Sequence, residues 1–271
     1  MSDSQNASIT TITLIRLPSR RRWWALTQMA SAPGTLLQVP GLRFGKLMGS
    51  GQGIGFSIKP NLHVWAVIAN WESHDAFLHW LSGEWLAQYR RHAHEVFTVL
   101  QYPVRSHGLW DGEQPFQVEQ APPQASLRAV ITRATIRPSK LLKFWSTVPA
   151  TSRATAKAHG RLFSIGVGEL PWVQQATWSL WESEQAMQQF AYRNSAHRKA
   201  IHRTRTLNWY SEELFARFVP YAAIGSWTST ASGAGTSVPD LSDYGVTQFS
   251  DAPSPAALQG ARDRLNGTTE R

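Results

Sequence analysis

Histidine is the side chain best placed to do chemistry here, and spacing singles out one of its nine copies. Met187, Phe190, Asn194, His197 and Ile201 recur at alternating steps of three and four. On a helix that spacing lines them along one stripe. A stripe holding Met, Phe and Ile faces a core, so His197 points inward. An inward imidazole either satisfies its nitrogens by hydrogen bonds within the core or offers a lone pair to a metal or cofactor; spacing leaves both open. Ser195 is a candidate N-cap for a second helical piece, and His197 in its first turn still faces the sheet.

The other constellations are poorer. His92 and His94, like His197 and His202, are not i, i+4 pairs, and no two His with a carboxylate show metal-ligand spacing. The run Gly49-Ser50-Gly51-Gln52-Gly53-Ile54-Gly55 follows a strand but precedes another strand, so it lacks the helix N-terminus of a phosphate loop. It reads as a connection at a pocket mouth. Arg43, Lys46 and Lys59 on or beside it are either solvated charges or partners for ligand carboxylates. Glu212 and Glu213 are adjacent and do not form a facing acid/base pair. No Gly-x-Ser-x-Gly nucleophile elbow occurs.

An internal repeat positions these residues. Trp71-Glu72-Ser73 recurs as Trp181-Glu182-Ser183, and at the same shift Ala76, Trp80 and His92 meet Ala186, Phe190 and His202. The first-half counterpart of His197 is Ala87, the asymmetry expected of a single ligand site. Upstream, Gly41-Leu42-Arg43-Phe44 parallels Gly160-Arg161-Leu162-Phe163, which on a loose reading mirrors Arg43 by Arg161. Each unit reads as strand (12–17; 129–136), helix (21–32; 139–149), two strands (42–48 and 63–71; 161–167 and 174–181), a helical region (74–96; 184–206) and a last strand (97–102; 222–227). That order, β-α-β-β-α-β, is the ferredoxin-like unit. The fold class is therefore α+β, with tandem ferredoxin-like units joined as a pseudo-dimer in one α+β barrel, with a pocket between sheet and helices. The expected organisation is a disordered N-terminus (1–9), an N-terminal half (10–110), a linker (111–127), a C-terminal half carrying the candidate ligand (128–228) and a disordered tail (229–271).

Composition narrows the function. Absence of cysteine excludes disulfides, iron–sulfur clusters, thiolate-ligated haem and a thiol nucleophile. Thirteen Trp suit two cores and a pocket for a flat or long apolar ligand, with Trp65, Trp71 and Trp178 on central strands as the candidate lining. The net charge of +9 is scattered apart from three clusters, and no nucleic-acid module accompanies it. Without a signal core or an apolar run long enough to span a bilayer, the chain is expected to be cytoplasmic, with at most a peripheral attachment to a membrane surface.

Several stretches resemble the bacterial spheroidene monooxygenases: Trp24 to Met29, Pro40 to Gly51, Pro60 to Ala66, Arg161 to Pro171, Ala196 to Ile201, and Trp209 to Phe218. The likeness runs in order over about residues 10 to 228. It implies a haem b enzyme of carotenoid biosynthesis that uses O₂ and reduced ferredoxin to install a keto group at C-2 of an acyclic carotenoid such as spheroidene. It also implies a proximal His on the second helical region of the C-terminal half. His197 matches that position, with His202 as the alternative iron ligand, and Arg43, Lys46 and Lys59 are candidates for holding the haem propionates. His63 and the long tail depart from the family pattern. A non-catalytic haem or polyene carrier and a haem dehydratase or peroxidase stay open as alternatives.

Overall fold

Each half of the chain builds a four-stranded antiparallel sheet flanked by helices. A computed structural model describes residues 9–55, 57–119, 126–193, 208–228 and 237–266. The first half holds β1 (Ile9–Arg16), α1 (Arg22–Leu36), β2 (Leu42–Gly51), β3 (Pro60–Trp71), α2 (His74–Ser82), α3 (Glu84–Arg90) and β4 (Glu95–Gly108). The second holds β5 (Arg128–Ile136), α4 (Leu141–Ala156), β6 (Arg161–Leu170), β7 (Gln174–Trp181), α5 (Glu184–Arg193) and β8 (Tyr210–Ile224). The sheet orders, β4-β1-β3-β2 and β6-β7-β5-β8, are the same arrangement twice. Antiparallel pairing of β2 with β6 and of β4 with β8 closes them into one eight-stranded barrel. This is the tandem ferredoxin-like barrel expected from the repeat.

The repeated Trp-Glu-Ser motif has one physical cause in both halves. The Trp ends a central strand and is buried. The Glu amide donates to the carbonyl of a glycine (Glu72 to Gly41, 3.0 Å; Glu182 to Gly160, 2.9 Å). The Ser hydroxyl caps the next helix by accepting from Ala76 or Ala186, 3.1 Å in each case. Gly41 and Gly160 sit at φ +74° and +70°, and a Cβ at either would collide with the capped alanine and the motif's own Glu.

Alternation along every strand sends one set of side chains into the barrel. Ile12, Leu14, Phe44, Met48, Ile68, Val99, Ile131, Phe163, Trp178 and Phe218 pack there as one closed core. The outward face of the first sheet packs against α1, α2 and α3 through a second core. Its centre is an aromatic stack, Trp71–Trp80–Trp85–Tyr89–Trp24, with neighbouring ring centroids 5.0–5.8 Å apart.

Several boundaries differ from the sequence reading. Helices α1 and α4 run through Pro33 and Pro149, where packing outweighs one lost backbone bond each. The helical region after β3 splits at extended Gly83 and ends before β4. Strands β4 and β8 are longer than expected because they pair with each other from Thr98–Ile224 to Gly108–Leu214. The linker is not a free tether: Phe116 and Leu127 are in the barrel core, and Asn70 Nδ2 donates to the Pro115 carbonyl.

The tail, expected to be disordered, is folded over 237–266. Strand β9 (Thr247–Phe249) adds in parallel to β8, and helix α6 (Pro255–Asn266) packs near α2. Buried Arg262 on α6 pairs with Glu119 and lies 4.8 Å from the Tyr102 ring centroid and 6.0 Å from that of Tyr221. The Ser-, Gly- and Pro-rich composition hid this, although Leu258, Ala261 and Leu265 form a short buried stripe on α6 and Leu241 and Val246 join the barrel core. Beneath it, His74 Nε2 is 2.9 Å from the Tyr221 hydroxyl. Burial, then the Arg262 charge, push the His74 pKa down to about 4, against a smaller upward pull from Asp75 and Asp263.

An unfolded imidazole titrates near 6.5. The unfolded chain therefore takes up this proton first, and His74 contributes stability above pH 6.5 that is lost as pH falls toward 4. Replacing His74→Gln, which keeps a partner for Tyr221, is expected to remove about 2–3 kcal/mol of the stability difference between pH 7 and 4.5. Urea unfolding of both proteins at the two pH values measures it.

Candidate functional site

The two sheets share a register, so their outward faces can be compared position by position. Trp71 lies opposite Ile9, and Trp181 opposite Arg128. Counting from there, the first half's Leu47, Val67, Ala69, Trp65, Ile15 and Leu100 correspond to Gly166, Thr177, Ser179, Gln175, Ala134 and Arg217. Large apolar side chains have been replaced by small or polar ones. Thr13 is fully buried, whereas its counterpart Thr132 is exposed although it sits mid-strand in the sheet.

Among the described residues, what covers this second face is correspondingly sparse. Val130, Trp181, Ala186 and Met187 form one small cluster under α5, with Phe190 and Phe215 against it. Ile136, Phe144, Val148 and Trp209 form another under α4. Met187 and Phe190, the first residues of the inward stripe, do face the sheet. Between the two clusters runs a floor of Thr132, Gly166 and Thr177. Among the described residues, a single continuous core in one half and two separated clusters in the other define a slot between sheet and helices.

Cationic groups rim the slot. Arg128 and Arg217, both buried, share Glu184 on α5 at 3.2 and 3.5 Å. Arg161 donates to the Thr155 and Ala156 carbonyls at the end of α4, 2.8 and 3.3 Å away. The buried Arg217 Nε and Arg161 Nη1 have no partner among the described residues. A narrow slot with a small-residue floor and spare guanidinium donors suits a flat group bearing carboxylates.

The sequence-predicted residues distribute unevenly. His197 and His202 lie outside the described residues, in the 194–207 segment joining α5 to β8. The three basic candidates do not converge. Arg43 is exposed on β2, and the register pairs it with Leu162; it is Leu42 that matches Arg161. Lys59 is exposed on the β2–β3 hairpin. Lys46 points to the barrel mouth, where it pairs with Asp111 and, at 3.1 Å, with Glu169.

The three tryptophans do not share a pocket either. Trp65 and Trp71 fill the first-half core, and Trp71 Nε1 donates to Thr11 Oγ1 at 2.9 Å. Trp178 lies inside the barrel. All three point from sheet faces that are already full. His63 lies in a 470 Å³ cleft of the first half with Arg16, Arg22 and His94. Among the described residues no cluster of three His, Asp or Glu could hold a metal.

Lys46 belongs to a charged plug at the barrel mouth that sequence reasoning missed. Arg133, 1% exposed, bridges Glu212 and Asp111 (3.0 Å to the latter) with its guanidinium 5.5 Å from the Trp110 ring centroid. Trp110 Nε1 donates to Glu169 at 2.7 Å. Glu212 also accepts from the Asp111 and Gly112 amides at 2.9 and 2.8 Å. Partial burial alone would raise the Glu212 pKa, but the two amides and Arg133 hold it below the usual carboxylate range. For Lys46, burial works downward and is outweighed by Asp111 and Glu169, which raise its pKa. Glu212 and Lys46 are thus held charged as structural links between β2, β5, β6 and β8.

No family model matches the chain. It is 36% identical over 245 residues to the spheroidene monooxygenase of Cereibacter sphaeroides, covering 89% of this chain and 72% of that protein. It is 37% identical over 207 residues to the spheroidene monooxygenase of Rhodobacter capsulatus, covering 75% of this chain and 86% of that one. Among solved structures, aldoxime dehydratase superposes with a TM-score of 0.51 at 11% identity, covering 81% of this chain and 83% of that one, which is a likeness of fold.

Removing the cation of the plug strands its carboxylates. Arg133→Met is expected to lower the unfolding free energy by about 3 kcal/mol, and adding Glu212→Gln to recover part of that loss. Urea denaturation of the two variants beside the parent chain tests the coupling.

Proposed function

The chain belongs to the spheroidene monooxygenase family, and from that premise we propose that it oxidises an acyclic carotenoid such as spheroidene to a ketone at C-2, with O₂, reduced ferredoxin and haem b. Converting the methylene to a carbonyl takes two molecules of O₂ and four electrons and releases three waters. The donor supplies the electrons. When bound, haem supplies the activation of O₂.

One observation carries the cofactor reading: the second sheet's outward face lacks the side chains that fill its twin. Gly166, Thr132 and Thr177 would form the floor under the haem. Arg217 and Arg161, rather than Arg43, Lys46 and Lys59, would take its propionates, because their spare N–H groups border the slot. His197 would bind the haem iron, with His202 as the alternative; in sequence His197 continues the three-and-four spacing of Met187 and Phe190, which face the sheet. The chain's own work is then to hold the cofactor flat, to keep the slot walled with Trp181, Phe190, Phe144 and Trp209, and to exclude water from the reacting carbon. A positive surface suits an acidic electron donor.

Two substitutions separate the slot from the ligand. Purified parent protein, grown with a haem precursor, is expected to show a Soret band that His197→Ala abolishes. Gly166→Leu, which restores the residue type of the first half, is expected to fold and yet lose at least nine-tenths of the band. With O₂ and reduced ferredoxin, the parent protein is expected to convert spheroidene to its 2-keto product, carrying ¹⁸O when ¹⁸O₂ is supplied. Lack of a Soret band in the parent protein would remove haem from this reading. A band that survives His197→Ala would move the ligand to His202. Haem without ketone formation would indicate a carrier.

A further inference from the structure

At one end of α4 the surface is apolar and set among cations. Leu142, on the first turn of α4, is 91% exposed, and Trp172, Leu170 and Ile58 are each more than half exposed. Hydrogen bonds hold most of these elements together. Trp145, one turn after Leu142, donates from Nε1 to the Trp172 carbonyl at 3.1 Å. Trp172 in turn donates from Nε1 to the Ile58 carbonyl, also at 3.1 Å. The strip therefore joins α4, the β6–β7 turn and the tip of the β2–β3 hairpin, three elements beside the slot.

Trp172 is also costly where it stands. Its φ is +65°, in the left-handed region that suits Gly or Asn and penalises a bulky side chain. Beyond its hydrogen bond to the Ile58 carbonyl, a large ring held half in solvent on a strained backbone gains little for the fold.

The charge around the strip is mainly positive, and Glu169, next to Leu170, is paired with Lys46. Between Arg128 and Gly168 there are eight Lys or Arg and no Asp or Glu, and between Ser4 and Trp71 there are seven and none. Lys59 and Lys143 are exposed beside Ile58 and Leu142, with Arg137 and Lys140 half-buried at the turn into α4. Trp, Leu and Ile projecting among lysines, with the neighbouring Glu169 tied to Lys46 and Trp110, match the chemistry of a bilayer surface with anionic headgroups: the apolar tips enter the acyl boundary and the ammonium groups stay at the phosphates.

We propose that this strip (Leu142, Leu170, Trp172 and Ile58, framed by Lys59, Lys140 and Lys143) docks the protein on an anionic lipid bilayer. It deepens the carotenoid reading, and rests on it only in that a lipid-dissolved substrate needs such a contact next to the slot.

The test is flotation of the full chain with vesicles of phosphatidylcholine alone or mixed with phosphatidylglycerol, without carotenoid or donor. The parent chain is expected to float with the mixed vesicles, less so as salt is raised. The double variant Leu142→Gln/Trp172→Asn is expected to bind at least tenfold more weakly. Asn relieves the strain at position 172, which offsets the lost hydrogen bond to Ile58, and Leu142 is almost wholly exposed, so the unfolding midpoint should change little, which separates lost docking from lost folding. Lys143→Glu is expected to weaken binding about threefold. A parent chain that does not float, or a double variant that floats equally well, overturns the proposal. So does a double variant that keeps its lipid binding and loses only reduction by ferredoxin, which would make the strip a protein-docking site. Ketone formation in detergent without flotation would sink the docking and keep the reaction, and flotation without ketone formation the reverse.

Discussion

The barrel interior is full, and that constraint decides where a ligand can go. Eight strands contribute inward side chains to one core, closed at its mouth by Arg133, Lys46 and their carboxylates. A large flat ligand is excluded from that space by ordinary close packing. Room exists only outside the barrel, between a sheet and its helices. The first half has filled that room with its own tryptophans. The second has given up side chains such as the counterparts of Leu47 and Val67, each worth about 1.5–3 kcal/mol of burial, and kept the space open. Seen this way, the slot is a deletion from a duplicated core.

Much of the architecture was legible in the sequence because the repeat is anchored by residues with strict jobs. Trp71 and Trp181, Ser73 and Ser183, Gly41 and Gly160 occupy equivalent places for equivalent reasons, so the β-α-β-β-α-β order could be read twice. Helix ends were less legible: Pro33 and Pro149 look like stops and are overridden by packing. The tail was misread because its Ser-, Gly- and Pro-rich composition outweighed the short stripe of Leu258, Ala261 and Leu265 that seats α6. The site was only half visible. The Met187–Phe190 stripe pointed at the sheet correctly, while Gly166, Thr132 and Thr177 say nothing alone. They acquire meaning when set against Leu47, Thr13 and Val67 across the pseudo-dyad, and that comparison needs the strand register.

Lys46 and the tryptophans show why residue type alone misassigns roles. A lysine beside a glycine-rich run is a reasonable partner for a ligand carboxylate, yet its neighbours in space are Asp111 and Glu169, brought there by the linker and by β6. Trp65 and Trp71 are aromatic and central, yet their sheet face is the filled one. In the sequence Arg161 stands out only as a mirror of Arg43 and Arg217 does not stand out, yet each keeps a buried guanidinium nitrogen without a partner among the described residues.

The unequal filling of the two outward faces also divides the molecule into a stiff and a yielding part. Helices α1, α2 and α3 are locked to their sheet by the aromatic stack and reinforced by α6, so their amides should open only when the whole molecule unfolds. Among the described residues, α4 and α5 rest on two small clusters, so their amides should exchange sooner than those of the first half. On the proposed reading, that is the half that would open to admit and release a bulky guest while the first keeps the barrel closed. Duplication has in effect moved the usual conflict between stability and activity onto separate copies of one unit.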